Sequence, residues 1–516
     1  MRWTAPPEKR EVQLLVFALA VFFISYHLET TLYAFGVHPP TLLRSLGLGG
    51  KMGISTDGRR TPGWRDALEE EIFGGWSWDR GQVGGDGTER SQALGVGDHG
   101  AMWVDKEEVS DVGGSRFGRR TVNDAFMRWR SAIPESKLVR HVSGFTILDN
   151  VFMFGGKVYI VTDDLDAFPA VSTIVSATGP GMNSWEIVTK EVARQILGSY
   201  GAILHGVTWM SADTTPHNST LISLWRAYSS LDPYIDSSGQ TSLPPPLRLF
   251  FPQVRVFTDP NPLPHFHEIR RRRVDTGFHP FLLKAAFPQL TVMYQEDWED
   301  YHKLPVPFLI ERIVIADREA AEASVKHGEP PFAPAFSLGA SRHWWEPVRH
   351  TLVSYFDFNE NKKAKKVVTY VHRQSESTGL KLRDEDHQAL VTTLKKMARD
   401  YGHEVHVVSS ETDWAERMDA IVKSTVVLGP HNTDLLDSIF MKTSPQATLM
   451  EFFPTDTFAR DEALVAQARG MRYFMWWHSR KFSSDDLPLV VQPPETAEIS
   501  IDVSMVVKAV RDALSQ

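Results

Sequence analysis

The apolar positions between residues 367 and 454 change their period several times along the chain. Four short runs rich in β-branched and aromatic residues predict buried strands at 367–371, 405–408, 425–428 and 447–453. Apolar residues at three- and four-residue spacing predict helices between them, at 384–401, 414–422 and 433–441. Gly402 follows the first helix, where helices commonly end in a left-handed residue. Strands that alternate with helices through short connections are typical of a parallel α/β unit.

The preceding part of the chain predicts a second α/β domain with shorter elements. Its expected strands are 145–148, 151–154, 158–161, 202–209, 247–251, 253–257 and 308–315, and its expected helices are 186–197, 221–230, 268–273 and 344–358. An amphipathic helix predicted at 499–514 could pack back across both domains.

The amino terminus combines positive charge with an apolar run. Arg2, Lys9 and Arg10 precede apolar residues 12–26, and a weaker apolar stretch continues to residue 37. No small-residue cleavage site ends the run, so we expect a signal-anchor helix rather than a cleaved signal peptide. The positive flank predicts a cytosolic tail and a lumenal remainder.

These patterns give a division of the 516-residue chain. We expect a cytosolic tail at 1–11, a signal-anchor helix at 12–35 and a Gly- and Pro-rich stem at 36–120. An N-terminal domain then covers 121–355, a C-terminal domain covers 356–498, and a terminal helix covers 499–516.

Composition removes several classes of function. The chain carries 55 Lys and Arg against 64 Asp and Glu, a net charge of −9 without a long basic stripe, which argues against nucleic acid as the partner. It contains no Cys, which excludes disulfides, zinc-thiolate sites and thiol nucleophiles.

The segment from Gly429 to Thr433 is the first candidate site, because a predicted buried strand ends there in a Gly-Pro turn. The turn presents His431 and Asn432 just before the helix that begins near Thr433. Ligands of open α/β sheets bind at the carboxyl ends of the strands, and a helix N-terminus there attracts anions. We therefore expect a phosphate-bearing ligand beside His431, although a His that only satisfies the loop backbone gives the same pattern.

Two further charged residues end predicted strands of the same unit. Arg373 follows the strand 367–371 and could grip a diphosphate through two hydrogen bonds, unless it is a surface Arg. Glu451 lies in an otherwise apolar strand, so it should face a ligand, such as a ribose, or form an ion pair.

The N-terminal domain offers a base, a metal pair and a glycosylation triplet. His217 is a possible general base, or a plain loop His. Asp164 and Asp166 follow a predicted strand as an Asp-x-Asp pair, a short pattern that can hold a divalent metal against a diphosphate but often occurs by chance. Asn218 begins an Asn-Ser-Thr glycosylation triplet.

The C-terminal motifs together resemble glycosyltransferase family 61. The resemblance is carried by four segments that span roughly 367–478: Tyr-Val-His-Arg at 370–373 followed by Arg383, Val-Leu-Gly-Pro-His at 427–431, Leu-Met-Glu-Phe-Phe-Pro at 449–454, and Gly-Met-Arg-Tyr at 470–473. Residues 149–311 are similar only in the order of their strands and in His217.

The resemblance implies an inverting glycosyltransferase of the GT-B type, with two facing Rossmann-like domains and no general metal requirement. By that resemblance, 121–355 would be the acceptor-side domain and 356–498 the nucleotide-sugar-binding domain. It implies a single-pass type II protein of the Golgi or endoplasmic reticulum membrane, which moves a sugar from a nucleotide sugar, expected to be UDP-linked, to a glycan or glycoprotein. Donor binding would involve Arg373, with Arg383 at the family's second Arg position, and His431 and Glu451 in the nucleotide pocket.

Two positions depart from the family pattern and keep alternatives open. The family's Gly residues after the His are Asn432 and Asp434 here; Asn tolerates a left-handed backbone, whereas Asp434 would repel a bound phosphate. One alternative is a degenerate, non-catalytic membrane protein that binds glycans or partners. Another is a metal-dependent transferase that uses Asp164 and Asp166.

Overall fold

The computed structural model describes residues 13, 16–19, 126–129, 132–176, 184–258, 272–273, 276–356 and 366–515. The chain separates into two compact units, Met1–Gly85 and Asp86–Gln516. Within the first unit the five described residues are helical. The rest of the predicted anchor at 12–35, and all of the predicted stem at 36–120, lie outside the described residues. In the described part of the chain, no helix combines the length and apolarity that a membrane span requires.

The N-terminal part of the second unit, called here the N-terminal lobe, is built on a nine-stranded mixed sheet. Its strands are β1 (Phe126–Arg128), β2 (Lys137–Val142), β3 (Phe145–Phe154), β4 (Lys157–Val161), β5 (Trp185–Val188), β6 (Tyr200–Ser211), β7 (Pro246–Phe250), β10 (Thr291–Met293) and β11 (Phe308–Ala316). The order across the sheet is β10-β7-β6-β11-β3-β4-β5, with β1 beside β6 and β2 beside β3. Strands β10, β7, β6 and β11 are parallel, whereas β3 runs antiparallel to β2, β4 and β11. A separate two-stranded sheet pairs β8 (Phe257–Thr258) with β9 (Arg272–Arg273).

The helices of this lobe lie along and between those strands. They are α1 (Val171–Ile174), α2 (Lys190–Leu197), α3 (Thr220–Ser229), α4 (Pro280–Ala286), α5 (Gln295–Lys303), α6 (Arg318–Glu322) and α7 (Ala333–Ser337). Helix α8 (Glu346–Tyr355) then leads toward the C-terminal lobe. All ten residues of α3 are buried, so this helix forms the centre of the lobe.

Several predictions for the N-terminal lobe were wrong in detail. Strands predicted at 145–148 and 151–154 are one strand, β3, and the segment predicted as a helix at 186–197 begins as strand β5 before α2. The strand predicted at 253–257 is reduced to the short β8. Residues 272–273, predicted as helical, form β9, and the rest of that prediction lies outside the described residues.

The C-terminal lobe contains the predicted parallel unit. Its main sheet consists of β12 (Val367–His372), β14 (Glu404–Ser409), β15 (Val426–Pro430), β16 (Thr448–Phe452), β17 (Arg472–Trp477) and β18 (Arg480–Ser483). The order is β14-β12-β15-β16-β17-β18; the first five strands are parallel, and β18 is an antiparallel edge. The α/β class predicted from the sequence is therefore confirmed.

The helices of the C-terminal lobe cover both faces of its sheet. They are α9 (Asp384–Tyr401), α10 (Trp414–Lys423), a 3-10 helix (Thr433–Phe440), α11 (Asp461–Ala468) and α12 (Val503–Ser515). Gly402 ends α9 in the left-handed conformation, as predicted. A small parallel pair, β13 (Leu380–Leu382) and β19 (Ala497–Ile499), lies beside this sheet.

The terminal helix does not cross between the lobes. The buried residues of α12, Val506, Val510, Ala513 and Leu514, join a core cluster made only of residues from the C-terminal lobe. Because that lobe covers the whole apolar stripe of α12, the helix belongs to it, and the expectation that it packs across both domains was wrong.

Hydrogen bonds of buried side chains connect the two lobes at α8. Trp344 donates its indole N–H to the carbonyl of Ala468 over 3.0 Å. Arg469, which is 1% exposed, bonds Glu346 over 2.8 Å. Arg349 donates to the carbonyl of Phe440 over 3.0 Å. The start of α8 is thereby tied into the C-terminal lobe.

Candidate functional site

The candidate site lies where the strand order of the C-terminal sheet reverses. Strand β12 lies between β14 and β15. The chain continues from the carboxyl end of β12 toward β14 on one side, and from the carboxyl end of β15 toward β16 on the other side. Such switch points form ligand crevices in open α/β sheets. Gly429 keeps the two strand ends close, because a Cβ there would lie 2.5 Å from the carbonyl oxygen of Val371.

A cleft of about 370 Å³ opens at this point and draws its lining from both lobes. Its lining residues include His217 and Asn218 from the N-terminal lobe, and Arg373, Gly379, His431 and Asp461 from the C-terminal lobe. Three of the residues that the sequence predicted to carry chemistry, His217, Arg373 and His431, therefore face one another across a single space.

His431 is held by a network of buried acidic and aromatic groups. Its Nδ1 lies 2.5 Å from Oε1 of Glu451 and 3.3 Å from Oε2 of Glu462. Tyr473 donates its hydroxyl to the second oxygen of Glu451 over 2.6 Å. The His431 ring also stacks on Phe453, with the ring centres 4.8 Å apart. These contacts fix the orientation of the imidazole before any ligand arrives.

The carboxylates keep His431 charged near neutral pH. Burial lowers its pKa, but Glu462 and Glu451 together raise that pKa well above its usual value. Burial and repulsion by Glu451 raise the pKa of Glu462 in turn. The pKa of Tyr473 also lies well above its usual value, because of burial and the neighbouring Glu451. Its hydroxyl thus remains a donor. The cluster presents an imidazolium at the wall of the cleft.

Arg373 lies beside His431 in the cleft, but its guanidinium already has a partner. Its Nε donates to Glu376 over 2.8 Å, and its Nη2 bonds the same carboxylate oxygen. Glu376 also accepts from Ser410 over 2.7 Å. Gly379 lies under the guanidinium, since a Cβ there would be 2.7 Å from Nη1. The side chain is thus positioned by its neighbours, and an anion would have to share it with Glu376.

The turn after His431 differs from the predicted one. Asn432 has an extended backbone, φ −170°, and not the left-handed conformation that we expected. Its side chain caps the following 3-10 helix by accepting from the amide of Asp434 over 2.7 Å, and it donates to the carbonyl of Pro430. Asn is therefore suited to this position because it can bond backbone on both sides, which a left-handed Gly could not do.

Asp434 is neutralised by a neighbouring cation. Its carboxylate lies 3.1 Å from Arg417, whose other terminal nitrogen is 3.5 Å from Asp437. Burial raises the pKa of Asp437 to about 7. The Arg417 charge reduces the repulsion that Asp434 would exert on an anion in the cleft, which weakens the sequence argument against phosphate binding.

His217 faces the cleft as a neutral imidazole. Burial, assisted by Arg318, lowers its pKa to about 4. The amide of Ser219 donates to its Nδ1 over 3.1 Å, and the hydroxyl of Ser219 lies 2.6 Å from the same atom. Because an amide can only donate, Nδ1 holds the lone pair and the ring proton lies on Nε2. His217 therefore offers a donor to the cleft, whereas the general base predicted there needs an acceptor.

Asn218 lies in the cleft wall and not on an outer face. The two residues that follow it in the glycosylation triplet, Ser219 and Thr220, are 0% and 1% exposed at the start of α3. Gly277 packs against this loop, since a Cβ there would be 2.5 Å from the carbonyl carbon of His217. A glycan on Asn218 stays a prediction, and its attachment would fill the cleft.

Other predicted residues are not brought to the cleft. The side chain of Arg383 is exposed at the start of α9 and is absent from the described lining, so its donor-binding role stays a prediction. Asp164 and Asp166 are exposed after β4 and likewise lie outside that lining. The 3-10 helix begins at Thr433, whose side chain lies outside the described residues.

The sequence analysis missed Asp461, Glu462 and Tyr473. Asp461 and Glu462 form the first turn of α11. Acidic residues are favoured at helix N-termini, so the sequence could have indicated the start of a helix there. Nothing in their local sequence connects them with His431. Burial, followed by repulsion from Glu462, raises the pKa of Asp461 to about 6.

His431, Glu451 and Glu462 also form the one potential metal-ligand cluster found among the described residues, with ligand atoms within 4.8 Å of one another. The Nδ1 atom, however, already bonds Glu451 at 2.5 Å, and Tyr473 bonds the other oxygen of that carboxylate. These contacts fit a proton between the ring and the carboxylate better than a cation.

A larger cavity of about 510 Å³ lies within the N-terminal lobe, beside Trp185, Met210 and Trp298. Its lining is mostly apolar and brings together none of the residues predicted to carry chemistry, so size alone does not identify the site.

A scan of the sequence against protein-family models gives no match, and a search among curated proteins gives no significant relative.

Proposed function

We propose that the protein is an inverting glycosyltransferase of the GT-B type, which moves a sugar from a nucleotide sugar, UDP-linked, to a glycan or glycoprotein acceptor. The observation that carries the proposal is the meeting of His217, Arg373 and His431 in one cleft between two α/β lobes. The cleft lies at a switch point of a parallel sheet, which is where nucleotide ligands bind in such folds.

The charges of the C-terminal wall suit a diphosphate. Transfer of the sugar leaves negative charge on the departing nucleoside diphosphate. Two fixed cations, the His431 imidazolium and the Arg373 guanidinium, line the cleft where such a group would lie. Donors that are positioned before the reaction stabilise the developing charge without reorganisation. The side chains thus supply leaving-group stabilisation without a metal, in line with the family that the motifs resemble.

Membrane attachment and a lumenal location complete the proposal. They rest on the charge and apolar pattern of residues 1–37. Their support is therefore independent of the cleft.

The test is thermal unfolding of the full-length chain with a panel of UDP-xylose, UDP-arabinose and UDP-N-acetylglucosamine, each with and without a chelator. A ligand that binds the native state raises its melting temperature. We expect one donor to raise it in both conditions, and UDP to be released from that donor when acceptor is present. A panel without any shift, from a chain with a cooperative transition, contradicts the proposal.

The two rival functions give different results. A non-catalytic glycan-binding protein would release no UDP. A metal-dependent transferase acting through Asp164 and Asp166 would lose its activity in chelator. The pairing of Asp434 with Arg417 weakens the main sequence argument for the first rival. Asp164 and Asp166 lie outside the described cleft lining, which disfavours the second.

A further inference from the structure

We propose that Asp461 is the general base that takes the proton from the attacking hydroxyl. The inference rests on the proposed glycosyl transfer and names the residue that the sequence could not supply. Asp461 opens α11 and lines the cleft near His431 and Glu462. In the described part of the chain its carboxylate accepts a hydrogen bond from its own backbone amide and from no other side chain. Its carboxylate is thus open to a ligand.

His217, the base predicted from the sequence, lacks the required lone pair. Its Nδ1 accepts from the amide of Ser219, so that Nε2 carries the ring proton. Its lowered pKa, about 4, would also make it a weak base at neutral pH. From the opposite wall it can donate a hydrogen bond to a substrate oxygen, which is a positioning role.

The neighbouring carboxylates are committed to other contacts. Glu451 is fully buried, and its two oxygens bond His431 and Tyr473. Glu462 is 3% exposed and directs Oε2 at the His431 ring. Glu495 also lines the cleft, but it is exposed, and among the described residues no hydrogen bond or ion pair holds its side chain. Of the carboxylates in the described lining, Glu462 shares the helix of Asp461 but is turned toward His431, so Asp461 is the one left available to a substrate hydroxyl.

The environment of Asp461 suits proton transfer. Burial and the nearby Glu462 raise its pKa to about 6, although His431 acts in the opposite direction. At pH 7 such a group is mostly ionised, yet it is a stronger base than an ordinary carboxylate. General bases work best when their pKa lies near the working pH.

The step is balanced without a further reactant. The acceptor oxygen forms a bond to the anomeric carbon on the face opposite the diphosphate, and its proton moves to Asp461. The bond between the anomeric carbon and the diphosphate oxygen breaks, and its electron pair leaves with the nucleoside diphosphate. His431 and Arg373 meet the leaving diphosphate, and the proposal requires the sugar ring to lie between that group and the carboxylate of Asp461. Attack from the opposite face gives inversion.

The experiment compares full-length wild type with Asp461→Asn, Asp461→Ala, His217→Gln and Glu495→Gln. Two quantities are measured for each: the shift in melting temperature caused by UDP, and the steady-state release of UDP from the UDP-sugar as a function of pH. The first reports the fold and the donor site, and the second reports the chemistry.

We expect Asp461→Asn to keep the UDP-induced shift and to lose turnover by about 10²–10⁴-fold, the usual contribution of a general base. The fall in wild-type turnover below about pH 6 should be absent from its residual activity. Added formate, a small carboxylate, should partly restore turnover in Asp461→Ala. His217→Gln should keep the acid limb of the pH profile.

Three results would overturn the assignment. Turnover of Asp461→Asn within about threefold of wild type would exclude Asp461 as the base. A loss of turnover confined to His217→Gln or Glu495→Gln would move the role to that residue. A wild-type chain that neither responds to UDP nor releases it would reject the proposed function itself, and the base with it.

Discussion

The two walls of the cleft differ in charge and in how their groups are held. On the C-terminal wall, His431 and Arg373 are cations, and buried or half-buried carboxylates fix both of them. On the N-terminal wall, His217 is neutral, and its own loop holds it through Ser219. The first wall suits a charged ligand, and the second suits a neutral one.

Under the proposed function, the difference gives each wall its own substrate. A nucleoside diphosphate carries negative charge that the cations of the C-terminal wall can meet, sharing Arg373 with Glu376. A sugar hydroxyl is neutral and needs directed hydrogen bonds, which His217 and Asn218 can supply. Asp461 stands on the charged wall, yet its chemistry would act on the neutral substrate.

The largest expected effect comes from Glu451→Gln. Glu451 is fully buried between His431 and Tyr473, and an amide cannot accept from both through its two ends. Removing one partner of a buried charged pair costs about 3–5 kcal/mol of folding free energy. Urea unfolding measures this loss. The matched variant Glu498→Gln, on the exposed part of β19, should stay within about 0.5 kcal/mol of wild type. Equal stability of both variants would show that the His431 cluster does not hold the wall together.

The next effect concerns turnover rather than stability. Arg373→Ala removes a cation from the charged wall, and turnover should fall by about 2.7–4 kcal/mol of transition-state stabilisation. UDP release at saturating donor measures it, and Arg399→Ala, an exposed Arg near the end of α9, is the control. Unchanged turnover in Arg373→Ala would remove this residue from the mechanism.

The sequence was informative about the charged wall because its signals are local. The strands β12, β14, β15 and β16 lie within two residues of their predicted bounds, since each is a continuous apolar run with a turn after it. His431 and Arg373 directly follow two of these strands, so the parallel order alone predicts that they are neighbours.

The remainder depends on contacts that span long stretches of chain. Asp461 and Glu462 meet His431 only after β15 and β16 pair and α11 folds over them. In the N-terminal lobe, the polar pair at 149–150 predicts a turn. In β3, however, Asp149 is paired with Arg312 of the neighbouring strand through two bonds of 2.6 and 2.7 Å. Tertiary pairing thus overrides the local pattern there.

The pH dependence of stability should have opposite signs on the two walls. The pKa of Asp461 is raised to about 6 in the folded state, so its contribution to stability is lost as the pH rises from about 4 to about 6. The pKa of His217 is lowered to about 4, so stability is lost as the pH falls from about 6.5 to about 4. Each change is at most about 3 kcal/mol, since one pKa unit corresponds to about 1.4 kcal/mol.

Differences between wild type and single variants isolate these two contributions. The free energy of unfolding of wild type minus that of Asp461→Asn should decrease as the pH rises from 4 to 6. The same difference for His217→Gln should increase as the pH rises from 4 to 6.5. Denaturant titrations at fixed pH values measure both. Slopes of the same sign would contradict the assignment of one charged and one neutral wall.

The smallest effects come from the glycines under each wall. Gly379 and Gly277 both have a positive φ, +96° and +78°, so Ala costs about 1–2 kcal/mol of strain at either position. The obstructed groups differ. A methyl at Gly379 meets the guanidinium of Arg373 and would displace it from Glu376, whereas one at Gly277 meets the backbone of His217, which cannot give way. Gly379→Ala should therefore weaken the UDP-induced rise in melting temperature, and Gly277→Ala should lower the melting temperature itself. Gly339→Ala, with an open position, is the control. If Gly277→Ala weakened UDP binding as much as Gly379→Ala, the diphosphate would have to contact both walls, and the division between them would fail.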